Sequence, residues 1–186
     1  GDAESAHAFY GHAVGLSPDT ASYRQRLGEW CCRLGSVAEG VAQLERAVAL
    51  APRDSAVACA LSGAYVAAND WAGARRVLDK VLAGKGMLAA HYCLRGMALQ
   101  HLGELDAALA DFKQAAHMDT GYADAWLSMA DLYRVKGEID KAVPCAQQAL
   151  ALAPGSANVA QTCGDIELAQ GNSRRAADHF QRATGL

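Results

Sequence analysis

The chain has 186 residues, a formal net charge of −3 and an isoelectric point near 6.1; 52% of it is hydrophobic, 20% charged and only 6% aromatic, and 41 residues are alanine. Such a chain is too apolar for intrinsic disorder, too poor in β-branched and aromatic residues for an all-β domain, and rich in the residue that lets helices form and pack closely. The charge balance gives no reason to expect nucleic acid or an anionic membrane surface as the main partner, and no apolar run reaches the roughly 18 residues that crossing a bilayer needs.

The N-terminus, Gly1-Asp2-Ala3-Glu4-Ser5, lacks the basic and apolar regions of a signal peptide. Gly1 in place of Met points to a tag remnant or an internal cut, so an upstream signal or anchor could have been lost. The six cysteines, Cys31, Cys32, Cys59, Cys93, Cys145 and Cys163, include no CxxC pair, so no zinc ribbon or thioredoxin-type redox site is indicated. They read as small core hydrophobes in a reducing cytoplasm, and high Ala with low Lys hints at a GC-rich bacterial genome.

Taken in chain order, residues 3–16 read as one amphipathic helix with Phe9, Tyr10 and Val14 on its apolar side. From there a 34-residue step organises the sequence. Gly28, Ser62, Gly96, Ala130 and Gly164 form one small-residue column, and Gly35, Asn69, Gly103, Gly137 and Gly171 a second. Ala6, Gly40, Ala74, Ala108, Ala142 and Ala176 form a third, and Ala13, Ala47, Val81, Ala115, Ala149 and Ala183 a fourth. A large-residue column runs Tyr10, Leu44, Leu78, Phe112, Phe180, with Ala146 as its lapse; Pro18, Pro52 and Pro154 fall in register, Gly86 and Thr120 holding that place elsewhere. Each unit reads as two helices. The second column ends the first helix with a residue that tolerates positive φ, and the proline follows the second helix, as Pro52 follows Val37–Leu50. Gly28 and Gly40 are expected where the two helices of a unit cross, with Tyr65, Leu99 and Tyr133 filling the space beside such crossings. Pro144, early in its helix, predicts a local bend or late start, and Asp106, Asp111, Glu138 and Asp140 read as helix-start carboxylates favouring the macrodipole.

The motif is clearest in Trp126…Met129-Ala130…Tyr133…Gly137…Ala142…Ala149…Pro154, and again in Leu27-Gly28…Gly35…Gly40…Leu44…Ala47…Pro52. On these residues the chain resembles the tetratricopeptide repeat family over nearly its whole length. Arg95 in a Leu column, Glu167 in a Tyr column and Ala160 in the Trp column depart from the pattern. The resemblance implies an all-α fold, a right-handed superhelical solenoid of antiparallel helix pairs. Residues 1–20 would carry the second helix of an incomplete repeat, 21–54, 55–88, 89–122 and 123–156 complete repeats, and 157–186 the last one. The end faces, with Phe9 and Tyr10 at one and Phe180 or Ala177 at the other, would be partly exposed, which suits trimming from a longer array or self-association.

The resemblance also implies that the first helix of each pair lines a concave groove. The candidate partner-binding residues are Gln25, Glu29 and Arg33; Cys59, Gly63 and Val66; Cys93, Leu94, Met97 and His101; and Leu127, Asp131 and Arg134. The middle two units present small and apolar groups there, and the flanking units present charges. Such a trough suits an amphipathic helix or an apolar peptide. Burying about 300 Å² of apolar surface would give roughly 7 kcal/mol at about 25 cal/mol per Å², and association costs would reduce this to micromolar affinity. Repeats of this kind that grip the C-terminal carboxylate of heat-shock chaperones use Lys, Asn and Arg at set places; Gln25, Glu29, Ala60, Ala90 and Leu94 stand there, so no cationic clamp is expected.

No nucleotide-binding, zinc-protease or nucleophile-elbow motif occurs. Cys31 and Cys32 read as one thiol toward the core and one toward the groove. His7 and His12 align poorly as joint ligands, and His117 and His179 read as solvated. No metal, cofactor or catalytic residue is assigned. The expected function is a protein–protein interaction scaffold within a larger assembly. The alternatives are a regulatory or substrate-recruiting segment of a multidomain enzyme, whose catalytic domain lies elsewhere, and a self-associating structural module.

Overall fold

A computed structural model describes residues 2–84 and 87–185; Gly86, which holds a proline place in the repeat, lies outside the described residues, as do Gly1 and Leu186. Among the described residues there are eleven α-helices and no strand. None of these helices is long and apolar enough to cross a membrane. The chain divides into two compact units, residues 1–87 and 88–186.

The first unit holds α1 (Asp2–Leu16), α2 (Ala21–Arg33), α3 (Val37–Leu50), α4 (Ser55–Ala67) and α5 (Trp71–Leu82). Asp54 caps α4 by accepting from the backbone N–H of Ala56 at 2.9 Å, and Asp70 caps α5 by accepting from Gly73 N–H at 2.8 Å, each satisfying a donor that the first turn leaves unpaired. Helices α2 and α3 cross where side chains are missing. A Cβ on Gly28 would sit 2.6 Å from Leu44 and 2.9 Å from the Gly40 carbonyl, and one on Gly40 would collide with the Cys32 sulfur. Leu44, Leu61 and Ala64 form the buried centre, with Val41, Val48, Tyr65 and Val77 packed around it. The Cys32 thiol fills the space above Gly40, so it belongs to this crossing and does not point away from it as expected.

The second unit holds α6 (Ala89–His101), α7 (Leu105–Met118), α8 (Ala123–Val135), α9 (Ile139–Leu152), α10 (Ala157–Ala169) and α11 (Ser173–Thr184). Its core centres on the fully buried Phe112 and Leu132, with Met129, Tyr133, Val159 and Ile166. Phe112 lies over Gly96, whose added Cβ would be 2.5 Å from the ring. The ring of Phe180 lies in the same way over Gly164 and is half-buried, while Ala177 on the same helix is exposed, in line with the partial exposure expected of this end. Helix α9 runs through Pro144 unbroken.

The glycine column does what its position requires. Gly35, Gly103, Gly137 and Gly171 have φ between +75° and +89°, and Asn69, the one non-glycine in that column, has φ of +58°. A chain reversing after each first helix needs this left-handed conformation, which is costly for any residue with a larger branched side chain.

Three carboxylates stand at helix starts, Asp106 and Asp140 in the first turns of α7 and α9, and Glu138 as the N-cap of α9. Asp111 does not. It lies in the middle of α7, buried, and accepts from Nε and Nη2 of Arg95 on α6, both at 2.7 Å. Two departures from the repeat pattern thus compensate each other across one helix pair.

Candidate partner-binding surface

In the first unit, α2 carries Gln25, Glu29 and Arg33. The Gln25 amide donates to Glu29 Oε1 at 2.9 Å, and Arg26 pairs with the other carboxylate oxygen at 3.0 Å. Arg33 is exposed and its guanidinium lies 4.9 Å from the Trp30 ring centroid. This surface is polar, with its charges already engaged. On α4, Cys59, Gly63 and Val66 are half-buried. A Cβ on Gly63 would meet nothing within 4 Å, so the space beside α4 is open there.

In the second unit, the first helices of the three pairs, α6, α8 and α10, pack side by side. Leu94, Met97 and Leu127 are half-buried, and Met97 and Leu127 rest part of their surface on the core while leaving the remainder to solvent. His101 is exposed at the end of α6. Cys93 does not line open surface: it is 2% exposed, and its sulfur lies 4.0 Å from the Ser128 hydroxyl, in the seam between α6 and α8. The Asp131 carboxylate accepts from Arg134 at 3.2 Å and from the Thr162 hydroxyl of α10 at 3.3 Å. It therefore orients Arg134 and ties α8 to α10. The result is an apolar row, Leu94, Met97 and Leu127, beside a polar trio whose hydrogen bonds are made.

The thiols are unsuited to nucleophilic work. Burial pushes Cys31 up to about 11, with Glu39 and Cys32 adding to it, and burial also pushes Cys93 up to about 11, against the Ser128 hydroxyl. Thiolate is the reactive form, so both stay inert at neutral pH.

Two features escaped the sequence reading. A groove of about 440 Å³ lies between α7, α8 and α9, lined by Lys113, His117, Trp126, Met129, Tyr133 and Cys145. Its signal was Trp126, noted only as a motif residue; its indole N–H donates to the Thr120 carbonyl at 3.0 Å, which fixes the ring at the groove's rim. His179, expected to be solvated, has its Nδ1 buried without a hydrogen-bond partner, beside a cavity of about 220 Å³ between α9, α10 and α11.

Sequence models of the tetratricopeptide repeat match residues 90–120 and 121–186, together more than half the chain. No curated protein matches it. Solved structures do. MamA from Desulfovibrio magneticus RS-1 is 21% identical, covering 89% of this chain and 94% of its own, with a TM-score of 0.73. TTC0263, a thermophilic TPR protein in Thermus thermophilus, is 22% identical over 89% of this chain and 91% of its own, with a TM-score of 0.79. YrrB, a TPR protein with an unusual peptide-binding site, is 15% identical over 95% of this chain and 91% of its own, with a TM-score of 0.66.

Proposed function

We infer that this chain, which belongs to the tetratricopeptide repeat family, is a protein-interaction scaffold that holds a partner peptide or amphipathic helix against its first helices, within a larger assembly. The observation that carries this reading is the apolar row of Leu94, Met97 and Leu127 beside the Asp131–Arg134–Thr162 trio on three adjacent helices. An apolar side chain laid on that row removes hydrocarbon from water on both partners. The Asp131 carboxylate stays paired with Arg134 and Thr162 when covered, and the guanidinium N–H groups that face water can donate to a partner's carbonyls and so fix its orientation. Met97, unbranched and polarizable, accommodates more than one partner shape. The kinship in fold with YrrB supports a peptide as the class of ligand. In the first unit Gln25, Glu29, Arg33, Cys59, Gly63 and Val66 contribute further binding groups, and Cys93 contributes packing. Binding without catalysis fits thiols that burial keeps protonated. Composition and free cysteines support a bacterial cytoplasm as the compartment.

The test is a pulldown from source lysate with wild type beside the double variant Leu94→Glu/Met97→Glu. Two carboxylates in the apolar row are expected to abolish partner capture while far-ultraviolet circular dichroism stays unchanged. Equal capture by a folded double variant refutes the assignment.

One observation favours self-association as a second reading: Phe9 and Leu16 on α1 are 66% and 73% exposed. A species that stays monomeric in light scattering at high concentration removes it.

A further inference from the structure

Three ligand-type side chains from three helices converge in the first unit. His7 comes from α1, Cys31 from α2 and Glu39 from α3, and one ligand atom of each lies within 4.8 Å of the other two. Cys31 is fully buried, His7 half-buried and Glu39 exposed, so the trio has a covered thiol side and a carboxylate side open to water.

The repeat fills these three places differently elsewhere. One step along, they hold Val41, Tyr65 and Gly73, and the Tyr65 ring lies 3.0 Å from where a Gly73 Cβ would be. Further along they hold Leu109, Tyr133 and Lys141, with the Lys141 ammonium 5.8 Å from the Tyr133 ring centroid. At these two positions the meeting point of three helices is built around an aromatic ring; the two other units hold Arg75, Leu99 and Ala107, and Val143, Glu167 and Arg175. None of the four combines a thiol, an imidazole and a carboxylate, as the places around Cys31 do. We propose that His7, Cys31 and Glu39 form a binding site for a borderline-soft divalent cation, Zn²⁺ being the best match, which ties α1 to the α2–α3 pair.

The donor set selects the ion. Thiolate and imidazole disfavour Ca²⁺ and Mg²⁺, which take oxygen ligands. Zn²⁺ binds sulfur at about 2.3 Å and nitrogen or oxygen at about 2.0–2.2 Å in a tetrahedron, which puts neighbouring ligand atoms about 3.3–3.7 Å apart. With its ligand atoms within 4.8 Å of one another, the trio is wider than this by up to about 1.5 Å. His7 and Glu39 reach partly open surface, and rotation of their side chains closes the difference. On binding, the Cys31 thiol releases its proton to solvent; thiolate and carboxylate then balance the two charges of the cation, so no net charge is left against the buried side. Three protein ligands leave the fourth position to water. The cross-link has a structural use, because α1 has no fully buried side chain of its own.

Cobalt(II) titrated into the reduced full chain is the test. Wild type is expected to develop a sulfur-to-cobalt charge-transfer band and the visible bands of tetrahedral Co²⁺ at one equivalent, both abolished by Zn²⁺, and Zn²⁺ is expected to raise the thermal midpoint. Cys31→Ser loses the charge-transfer band. His7→Gln and Glu39→Gln each weaken binding by more than the roughly 10–100-fold that loss of an outer-sphere partner costs. If Cys31→Ser does not fold, by circular dichroism, the His7 and Glu39 variants, whose side chains reach water, decide the matter. No charge-transfer band in wild type, a band that survives Cys31→Ser, or wild-type affinity in both His7→Gln and Glu39→Gln overturns the proposal.

Discussion

Replacing Arg95 by Leu alone should destabilise the second unit strongly, whereas replacing Arg95 by Leu and Asp111 by Val together should not. The same two places hold Leu61 and Val77 in the first unit and Met129 and Cys145 in the second, so the double variant restores an apolar pair the repeat already uses. In the native chain the guanidinium meets the carboxylate through two hydrogen bonds of 2.7 Å, with side chains 24% and 8% exposed. Two unit charges about 4 Å apart attract by roughly 4 kcal/mol at an effective dielectric of about 20, and withdrawing them from water offsets most of that gain. Removing Arg95 leaves the carboxylate covered and unpaired, a loss of about 3 kcal/mol, at the low end for buried pairs because Arg95 keeps an edge in water. Asp111→Val costs about 1–2 kcal/mol, since the Arg95 head can turn outward along its own stem. The double variant should fall within about 1 kcal/mol of wild type or above it. Urea unfolding of the four proteins, followed by far-ultraviolet circular dichroism and compared where the slopes agree, gives the coupling energy of the cycle. Arg95→Leu as stable as wild type, or a double variant as unstable as Arg95→Leu, would refute the reasoning.

Two further predictions concern a crossing and a buried ring. Gly96→Ala drives a methyl to 2.5 Å from the fully buried Phe112 and should cost about 1–3 kcal/mol, whereas Gly63→Ala, with nothing within 4 Å, should be neutral or stabilising by up to about 1 kcal/mol; thermal melts of the pair check both. His91 is buried, its Nδ1 accepts from Leu88 N–H at 3.1 Å, and burial lowers its pKa from 6.5. The unfolded chain therefore binds this proton more readily than the native one, so stability is complete above pH 6.5 and falls as pH drops below it. His91→Asn should remove that part of the slope in urea midpoints taken on either side of pH 6.5; an unchanged slope counts against it.

The period was legible because it rests on residues that backbone geometry forces. The Gly35, Gly103, Gly137 and Gly171 column is needed at positive φ, and the Gly28 and Gly96 column where helices touch. What stayed hidden depends on pairs. Arg95 and Asp111 each looked odd alone, one as a lapse in a Leu column and the other as a helix-start charge; only the α6–α7 packing makes them one feature. The half-exposed Leu94, Met97 and Leu127 could be placed by helical register. The closure of Cys93 could not, because it depends on how closely Ser128 of α8 approaches α6. His7 was weighed against His12 on its own helix, while its neighbours Cys31 and Glu39 arrive from two others.

Among the described residues, helix α1 buries no side chain completely, and each of the ten helices that follow buries at least one residue. Opening a segment costs roughly the apolar surface it uncovers, so α1 is the cheapest element of its unit to peel away. Its amide protons would trade with solvent through that detachment, while those of α2 and α3, locked at the Gly28–Gly40 crossing, wait for a larger opening. The unit is in this sense graded from a loosely fastened flap to a firmly seated hinge.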